Sequence, residues 1–493
     1  MHVIHIASEL APIAKVGGLA DVIFGLARET QKKGHTVEIL IPKYDCLDYT
    51  ALQNLKPEMR ELWSYDGPYR YHNTIWSAEV QGLKVLLLEP QHPGYYFSRG
   101  SIYGFPDDVD RFIYFSRAAL EYLFKSGKNP DIIHIHDWPT SLVAPLYKEM
   151  YIPLGFRTKG IVLTIHNLQH QGKCSPQNLT KAGLRGEDFL TPAKMQDPFL
   201  PANLNLLKGG IEYSDFITTV SPTYEKEIKT VEGGCGLHTL LTKHSNKLKG
   251  ILNGIDFDYW NPETDPLLPN KYNIKTAQSG KLENKSELQK QFGLKSVKGP
   301  LICAISRLVP QKGPELILYG LKKAVEKEGQ FVLLGSPSTP EIEAQFKAAQ
   351  KEFLKTKTSL IHLQYDEKLA HLTYAASDMI LIPSIFEPCG LSQMIGLRYG
   401  SVPLVRFTGG LADTVFDIDT SKKPENERNG FVFDFPDPSG VDWALDRSLK
   451  YYKDPAKWAK IVQQGMRCDY SWSRSADAYL EIYKALSVSR GVK

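Results

Sequence analysis

The sequence predicts an α/β protein made of two doubly wound parallel-sheet domains with a cleft between them. Three observations predict it. The chain has 493 residues, more than one hydrophobic core usually organises, so two domains of about 200–250 residues each are expected. Short aliphatic and β-branched runs recur at 2–7, 37–41, 84–88, 131–136, 160–165 and 216–220, with helical patterns between them. A second series follows at 301–305, 331–335, 359–363, 379–382 and 402–405. Such alternation implies βαβ units and a mostly parallel sheet in each half.

The segment 253–300 separates the two series. It holds WNPETDPLLPN and a polar, lysine-rich run, where Pro and Asn discourage regular structure. A boundary near residue 255 is expected, with domains 1–254 and 255–475. Beyond them, Ala476, Tyr479, Leu480, Ile482, Tyr483 and Leu486 fall at helical spacing. A terminal helix over 476–493, crossing back onto the first domain, is expected.

Composition excludes several function classes. Apolar residues are 42% and charged residues 23%, ordinary for a soluble globular protein. Lys plus Arg (59) nearly balance Asp plus Glu (55), and a net charge of +4 offers no field for nucleic acid. Six cysteines, at 46, 174, 235, 303, 389 and 468, form no CxxC pair, the pattern of free thiols in a reducing compartment. The chain opens on an apolar run without the charged region and cleavage site of a signal peptide. Its longest apolar runs, 84–90 and 379–383, fall far short of the roughly 20 residues that span a bilayer. An intracellular protein off the membrane is expected.

In doubly wound sheets, ligands bind beyond the carboxyl ends of the strands, so motifs there carry the chemistry. Lys15, Gly17 and Gly18 make a glycine-rich strand-to-helix turn with a cation. It suits a phosphate at a helix N-terminus or is a plain tight turn with a solvated lysine; it is neither GxGxxG nor a P-loop. Arg307 ends a strand and Lys312 follows five residues later, either gripping a diphosphate or standing as solvated surface charges. Glu387 comes just after the strand at 379–382, with Cys389, Gly390, Leu391 and Ser392 opening a helix. That carboxylate can oppose positive charge at a glycosyl carbon or merely cap. Asp137, His166 and Asn167 end two further strands and can bond sugar hydroxyls, whereas His134 and His136 alternate with isoleucines as sheet residues. Gly409 and Gly410 repeat the turn theme, and Tyr365 is either a stacking surface for a base or an ordinary half-buried tyrosine. No compact His, Cys and carboxylate set with ligand spacing stands out, and Asp256/Asp258 and Asp417/Asp419 sit in turn-like contexts, so no metal is expected.

Taken in order, KVGGLADV (15–22), HIHDW (134–138), TIHNLQHQG (164–172), TTVSPTYEKEI (218–228), ILNGIDFDYWNP (251–262), SRLVPQKG (306–313), SIFEPCGLSQM (384–394) and TGGLADTV (408–415) resemble glycosyltransferase family five, the bacterial glycogen and plant starch synthases. The forms KVGGL, LIPKYDC (40–46), EPQHP (89–93) and VEGGCGLH (231–238) are most similar to the soluble class III/IV starch synthases and their bacterial relatives. The resemblance implies a GT-B arrangement and a retaining transfer of glucose from ADP-glucose to a maltooligosaccharide, glycogen or starch acceptor, without cofactor or metal. It implies a cytoplasmic bacterial enzyme, or a plastid enzyme if the chain is a catalytic region of plant type. By position it places Lys15, Gly18, Arg307, Lys312, Leu391 and Ser392 around the nucleotide diphosphate and Tyr365 by the adenine. Glu387, His166, Asn167, Asn253, Cys389 and Gly390 would line the donor glucose, and Asp137 would sit where the acceptor meets the anomeric carbon. The chain departs from the family at Pro139, Phe407 and Ser392.

Overall fold

The structure, a computed structural model, describes residues 1–489. It divides into two units, one of Met1–Gly254 with the terminal helix Trp472–Ser489 and the other of Ile255–Ser471. The expected helical residues 490–493 lie outside the described residues.

The first unit is built on a nine-stranded sheet. Its strands are β1 (His2–Ile6), β2 (Thr36–Pro42), β3 (Gln53–Asp66), β4 (Tyr69–Val80), β5 (Leu83–Pro90), β6 (Ile132–His136), β7 (Gly160–Ile165), β10 (Phe216–Thr219) and β11 (Leu248–Gly250), in spatial order β11-β10-β7-β6-β1-β2-β5-β4-β3. A separate small ribbon pairs β8 (Lys173–Cys174) with β9 (Leu204–Asn205). The strands from β11 to β5 run parallel, whereas β3, β4 and β5 form an antiparallel meander. Central strands such as β6 and β7 are buried along their whole length, His134, His136 and Thr164 included, as strands covered on both faces are. The meander strands β3 and β4 correspond to no apolar run. β3 is mostly exposed, contains Pro57 and slips register three times against β4, features of an edge strand.

The helix Gly18–Lys32 and the terminal helix cover one face of this sheet. Trp472, Ala476, Tyr479, Leu480 and Tyr483 pack with Val3, Val22, Leu26, Ile132 and Val162 in one core. A Cβ on Gly25 would stand 2.1 Å from the Trp472 indole nitrogen, so only glycine admits the ring there. The terminal helix begins at Trp472, four residues before the expected start.

The second unit carries β12 (Leu301–Ile305), β13 (Gln330–Leu334), β14 (Ser359–His362), β15 (Met379–Ile382), β16 (Val402–Arg406) and β17 (Phe431–Phe433), all parallel, in order β14-β13-β12-β15-β16-β17. It opens and closes at one point, where the Ile255 amide donates to the Tyr470 carbonyl at 2.8 Å. Among the described residues no helix is long and apolar enough to cross a membrane.

Candidate functional site

In the first unit, the candidate residues gather beyond the carboxyl ends of adjacent strands β1, β6 and β7. Lys15 lies in the loop after β1, and its Nζ donates to Asp21 Oδ1 at 2.8 Å. The turn after it is shaped from within: the Val16 and Gly17 amides both donate to Glu9 Oε2, at 2.8 and 2.9 Å, and Tyr103 Oη donates to Glu9 Oε1 at 2.9 Å. Gly17 is extended (φ −149°) and Gly18 begins the helix. A carboxylate of this chain therefore uses the turn amides that sequence reasoning offered to a phosphate, and the ammonium of Lys15 is the group left to meet one. Glu9 was missed; an acidic residue three positions beyond β1 was the available signal.

Asp137 follows β6 in the left-handed region (φ +53°), a conformation that favours Gly but that Asp tolerates. Its Oδ1 accepts from the His166 amide at 2.7 Å and, more weakly, from the Asn167 amide at 3.4 Å. Burial pushes its carboxyl up to about 7 despite those bonds, with Glu9 contributing in the same direction. His166 Nε2 meets His136 Nδ1 at 3.1 Å, and His136 Nε2 meets His5 Nδ1 at 3.1 Å. Burial lowers His166 and His5 to about 3 and His136 well below its usual value, so these rings are neutral at pH 7. His134 is held by Tyr483 Oη at 2.7 Å and Thr164 Oγ1 at 2.6 Å, a sheet residue as expected; His136 instead reaches His166. Asn253, beyond β11, is buried with its Oδ1 unpartnered among the described residues.

The fold also assembles what the spacing concealed. His5, His134 and His136 bring one ring nitrogen each to within 4.8 Å of one another. Of their six ring nitrogens, all but His5 Nε2 are engaged in the hydrogen bonds just given. The donor set thus forms a hydrogen-bonded array. Asp256 and Asp417 accept from the amides two and three residues on, the turn geometry their context implied.

In the second unit, Glu387 follows β15 and is 4% exposed. Its carboxylate takes a hydrogen bond from Lys312 Nζ and, on the same oxygen, one from Ser384 Oγ at 3.0 Å. Lys312, Glu387, Gly390, Leu391 and Ser392 line one pocket, and Ser392 Oγ donates to the Ile305 carbonyl at 3.2 Å. Cys389 is buried, and its backbone is pressed by the Gly409–Gly410 turn. A Cβ on Gly410 would lie 2.1 Å from the Cys389 carbonyl oxygen, and the Gly410 amide donates to the Glu387 carbonyl at 3.0 Å. Arg307 is exposed and forms no ion pair among the described residues. Tyr365, after β14, is 56% exposed while its hydroxyl is tied to Glu367. The same carboxylate takes the hydroxyl of Tyr259 and faces His371 Nε2 at 3.5 Å, and buried Asp265 holds His371 Nδ1 at 2.7 Å. Glu367 and Tyr259 were missed, since nothing in the local pattern joins residues 108 positions apart.

Residues 2–243 match the starch synthase catalytic domain family and residues 285–464 match the glycosyl transferases group 1 family. The chain is 48% identical to the glycogen synthase of Protochlamydia amoebophila, over 99% of both chains. It is 50% identical to the probable starch synthase 4 of Arabidopsis thaliana, over 99% of this chain and 47% of that longer one. The solved catalytic domain of starch synthase IV from Arabidopsis thaliana, bound to ADP and acarbose, superposes with a TM-score of 0.96 at 49% identity, covering 99% of each chain. A sucrose-phosphate synthase from Thermosynechococcus elongatus, 16% identical with a TM-score of 0.62, shares the fold alone. Two Rossmann-like units with polar groups at their strand ends thus define a GT-B glycosyltransferase. The chain belongs to the glycogen and starch synthase family.

Proposed function

We propose that this enzyme moves glucose from ADP-glucose to the 4-OH at the non-reducing end of an α-1,4-glucan, with retention at the anomeric carbon. The C1–O bond to the β-phosphate breaks on the same face of the sugar on which the bond from C1 to the acceptor 4-oxygen forms. The departing phosphate oxygen takes the acceptor's proton. Arg307 and Lys312 offset the charge gathering on ADP, and Tyr365 stacks on the adenine. Glu387 opposes the positive charge at C1, while His166, Asn167 and Asn253 bind the glucose hydroxyls and Asp137 faces the acceptor.

The observation that carries this reading is the Glu387 carboxylate, buried yet ionically paired with Lys312 in a pocket walled by Gly390, Leu391 and Ser392. A fixed negative charge beside a cation is what a carbocation-like sugar and its leaving phosphate require, because preorganised charge costs no reorganisation as the reaction proceeds. The family's bacterial members make the cytoplasm the compartment we infer, with the plastid stroma as the plant-type alternative. Incubation with labelled ADP-glucose or UDP-glucose and maltooligosaccharides, with product lengths resolved, tests the proposal. ADP-glucose should extend chains by single glucose steps, and incorporation from neither donor overturns it.

A further inference from the structure

His5, His136 and His166 form a hydrogen-bonded file of three imidazoles that begins in the core of the first sheet and ends at the half-buried His166. We propose that the buried pair His5 and His136 fixes the tautomer of His166, so that its Nδ1 carries a proton and acts as a hydrogen-bond donor. His5 and His136 are then positioning residues for the sugar contact. This rests on the reading of His166 as a glucose ligand, but the tautomer itself is a property of the protein alone.

Each ring is neutral, so each carries one N–H and one lone pair. Two bonds link the three rings, and a neutral file can run in only two directions. If the protons point away from the site, His166 Nε2–H donates to His136 Nδ1, His136 Nε2–H donates to His5 Nδ1, and His5 Nε2 is left as a buried N–H. If they point toward the site, His5 Nδ1–H donates to His136 Nε2 and His136 Nδ1–H donates to His166 Nε2. His5 Nε2 is then a bare lone pair, and His166 presents Nδ1–H.

The far end of the file decides between them. His5 Nε2 is buried and has no partner among the described residues. His134, whose ring lies 4.9 Å away, does not relieve it, because Tyr483 and Thr164 occupy both its nitrogens. Buried backbone N–H donors are rarely orphaned, whereas under-satisfied carbonyl acceptors are somewhat less rare, and we carry that preference over to the imidazole nitrogens. The proton-toward-the-site direction leaves the acceptor orphaned, and so it is favoured. His166 then discriminates: its sugar partner must offer an oxygen lone pair, and a ligand presenting only a donor there is repelled.

The test is two-bond ¹H–¹⁵N correlation on the full chain labelled with ¹⁵N-histidine, with the His166 signals assigned by difference from His166→Asn. The expected result is an Nδ1–H tautomer for His166 in the ligand-free protein. An Nε2–H tautomer overturns the inference. His5→Met puts a thioether, which can only accept, in place of the donor to His136; His136 should then turn its proton to Nε2, which converts His166 to Nε2–H and raises the donor KM about two- to tenfold, the loss of one neutral hydrogen bond. His5→Gln, whose amide donates in the place of Nδ1–H, should keep the wild-type tautomer and KM. Should His5→Met fail to fold, the wild-type spectrum alone decides. If His166→Asn leaves the donor KM unchanged while wild-type His166 is Nδ1–H, the sugar contact is wrong and the tautomer assignment stands.

Discussion

Lys312 Nζ and the Glu387 carboxylate form an ion pair at the strand ends of the second unit, with Ser384 Oγ on the same carboxylate oxygen. The pair joins residues 75 positions apart and holds in one place the two charges to which the proposed sugar transfer gives a role. Glu387→Gln keeps the shape and removes the charge, so kcat should fall by about 10²–10³ with the fold intact. Lys312→Ala should raise the KM for ADP-glucose and also destabilise, because it strands a buried carboxylate on one remaining side-chain donor. A loss of about 1–3 kcal/mol in thermal or denaturant unfolding is expected. The double variant should lose less than the sum, as residues in contact do. Additive losses, or near-normal turnover in Glu387→Gln, would contradict the pairing as a functional unit.

Asp137 gives the enzyme a stability signature in pH. Its folded carboxyl titrates near 7, raised by burial, whereas an unfolded aspartate titrates near about 3.9. Between those values the folded chain holds a proton that the unfolded chain has released, so stability falls as pH rises from about 4 to 7 and levels off above. Asp137→Asn keeps an acceptor for the His166 amide and has no proton to lose. The melting temperature of that variant minus that of the wild type should grow across this window and stay constant beyond it. A difference independent of pH would place the Asp137 carboxyl at an ordinary value.

Tyr365 and Tyr259 share the Glu367 carboxylate, so a single side chain steadies both rings. Glu367→Ala should raise the KM for ADP-glucose about two- to tenfold while kcat changes little, since the ring is loosened and the reacting atoms are untouched. Tyr365→Phe removes the same anchor and should move KM in the same direction by a similar factor. Initial-rate kinetics over a range of donor concentrations check both, and a fall in kcat at constant KM would refute a role in nucleotide binding.

The sequence makes the central strands legible because a parallel strand covered on both faces is largely apolar, as ILI at 380–382 and LICAI at 301–305 are. It conceals β3 and β4 because an exposed edge ribbon needs no such run and tolerates Pro57 within it. The strand-end rule locates Asp137, His166, Arg307 and Glu387, since any residue just past a buried strand is at the ligand edge of the sheet. Partners fixed by register are a different matter. His5 faces His134 because β1 and β6 pair residue for residue, and His136 reaches His5 across 131 positions. Alternation with isoleucine reveals that such a histidine lies on one face of a strand and conceals what stands beside it. Glu9 was hidden for a related reason: a carboxylate that folds back onto the amides of a later turn resembles any loop acid until the loop closes.

Through Tyr483 the terminal helix holds His134, a histidine that stands outside the His5–His136–His166 file. Tyr483 Oη and Thr164 Oγ1 hold the two nitrogens of His134, and neither bond leads to His136 or His166. Tyr483→Phe leaves the aromatic packing in place and strips one nitrogen of a fully buried ring of its partner, a cost of about 1–3 kcal/mol. For units of this size that corresponds to a melting temperature lower by on the order of 2–4 °C per kcal/mol. Its kcat and KM at a temperature well below melting should match the wild type, because the His5–His136–His166 line is intact. Gly25→Ala should destabilise by a similar amount for a different reason, its methyl group forcing Trp472 out of its seat. If Tyr483→Phe instead lowered activity without lowering the melting temperature, His134 would have to belong to the file that ends at His166, and the hydrogen bonds that separate it would be wrong.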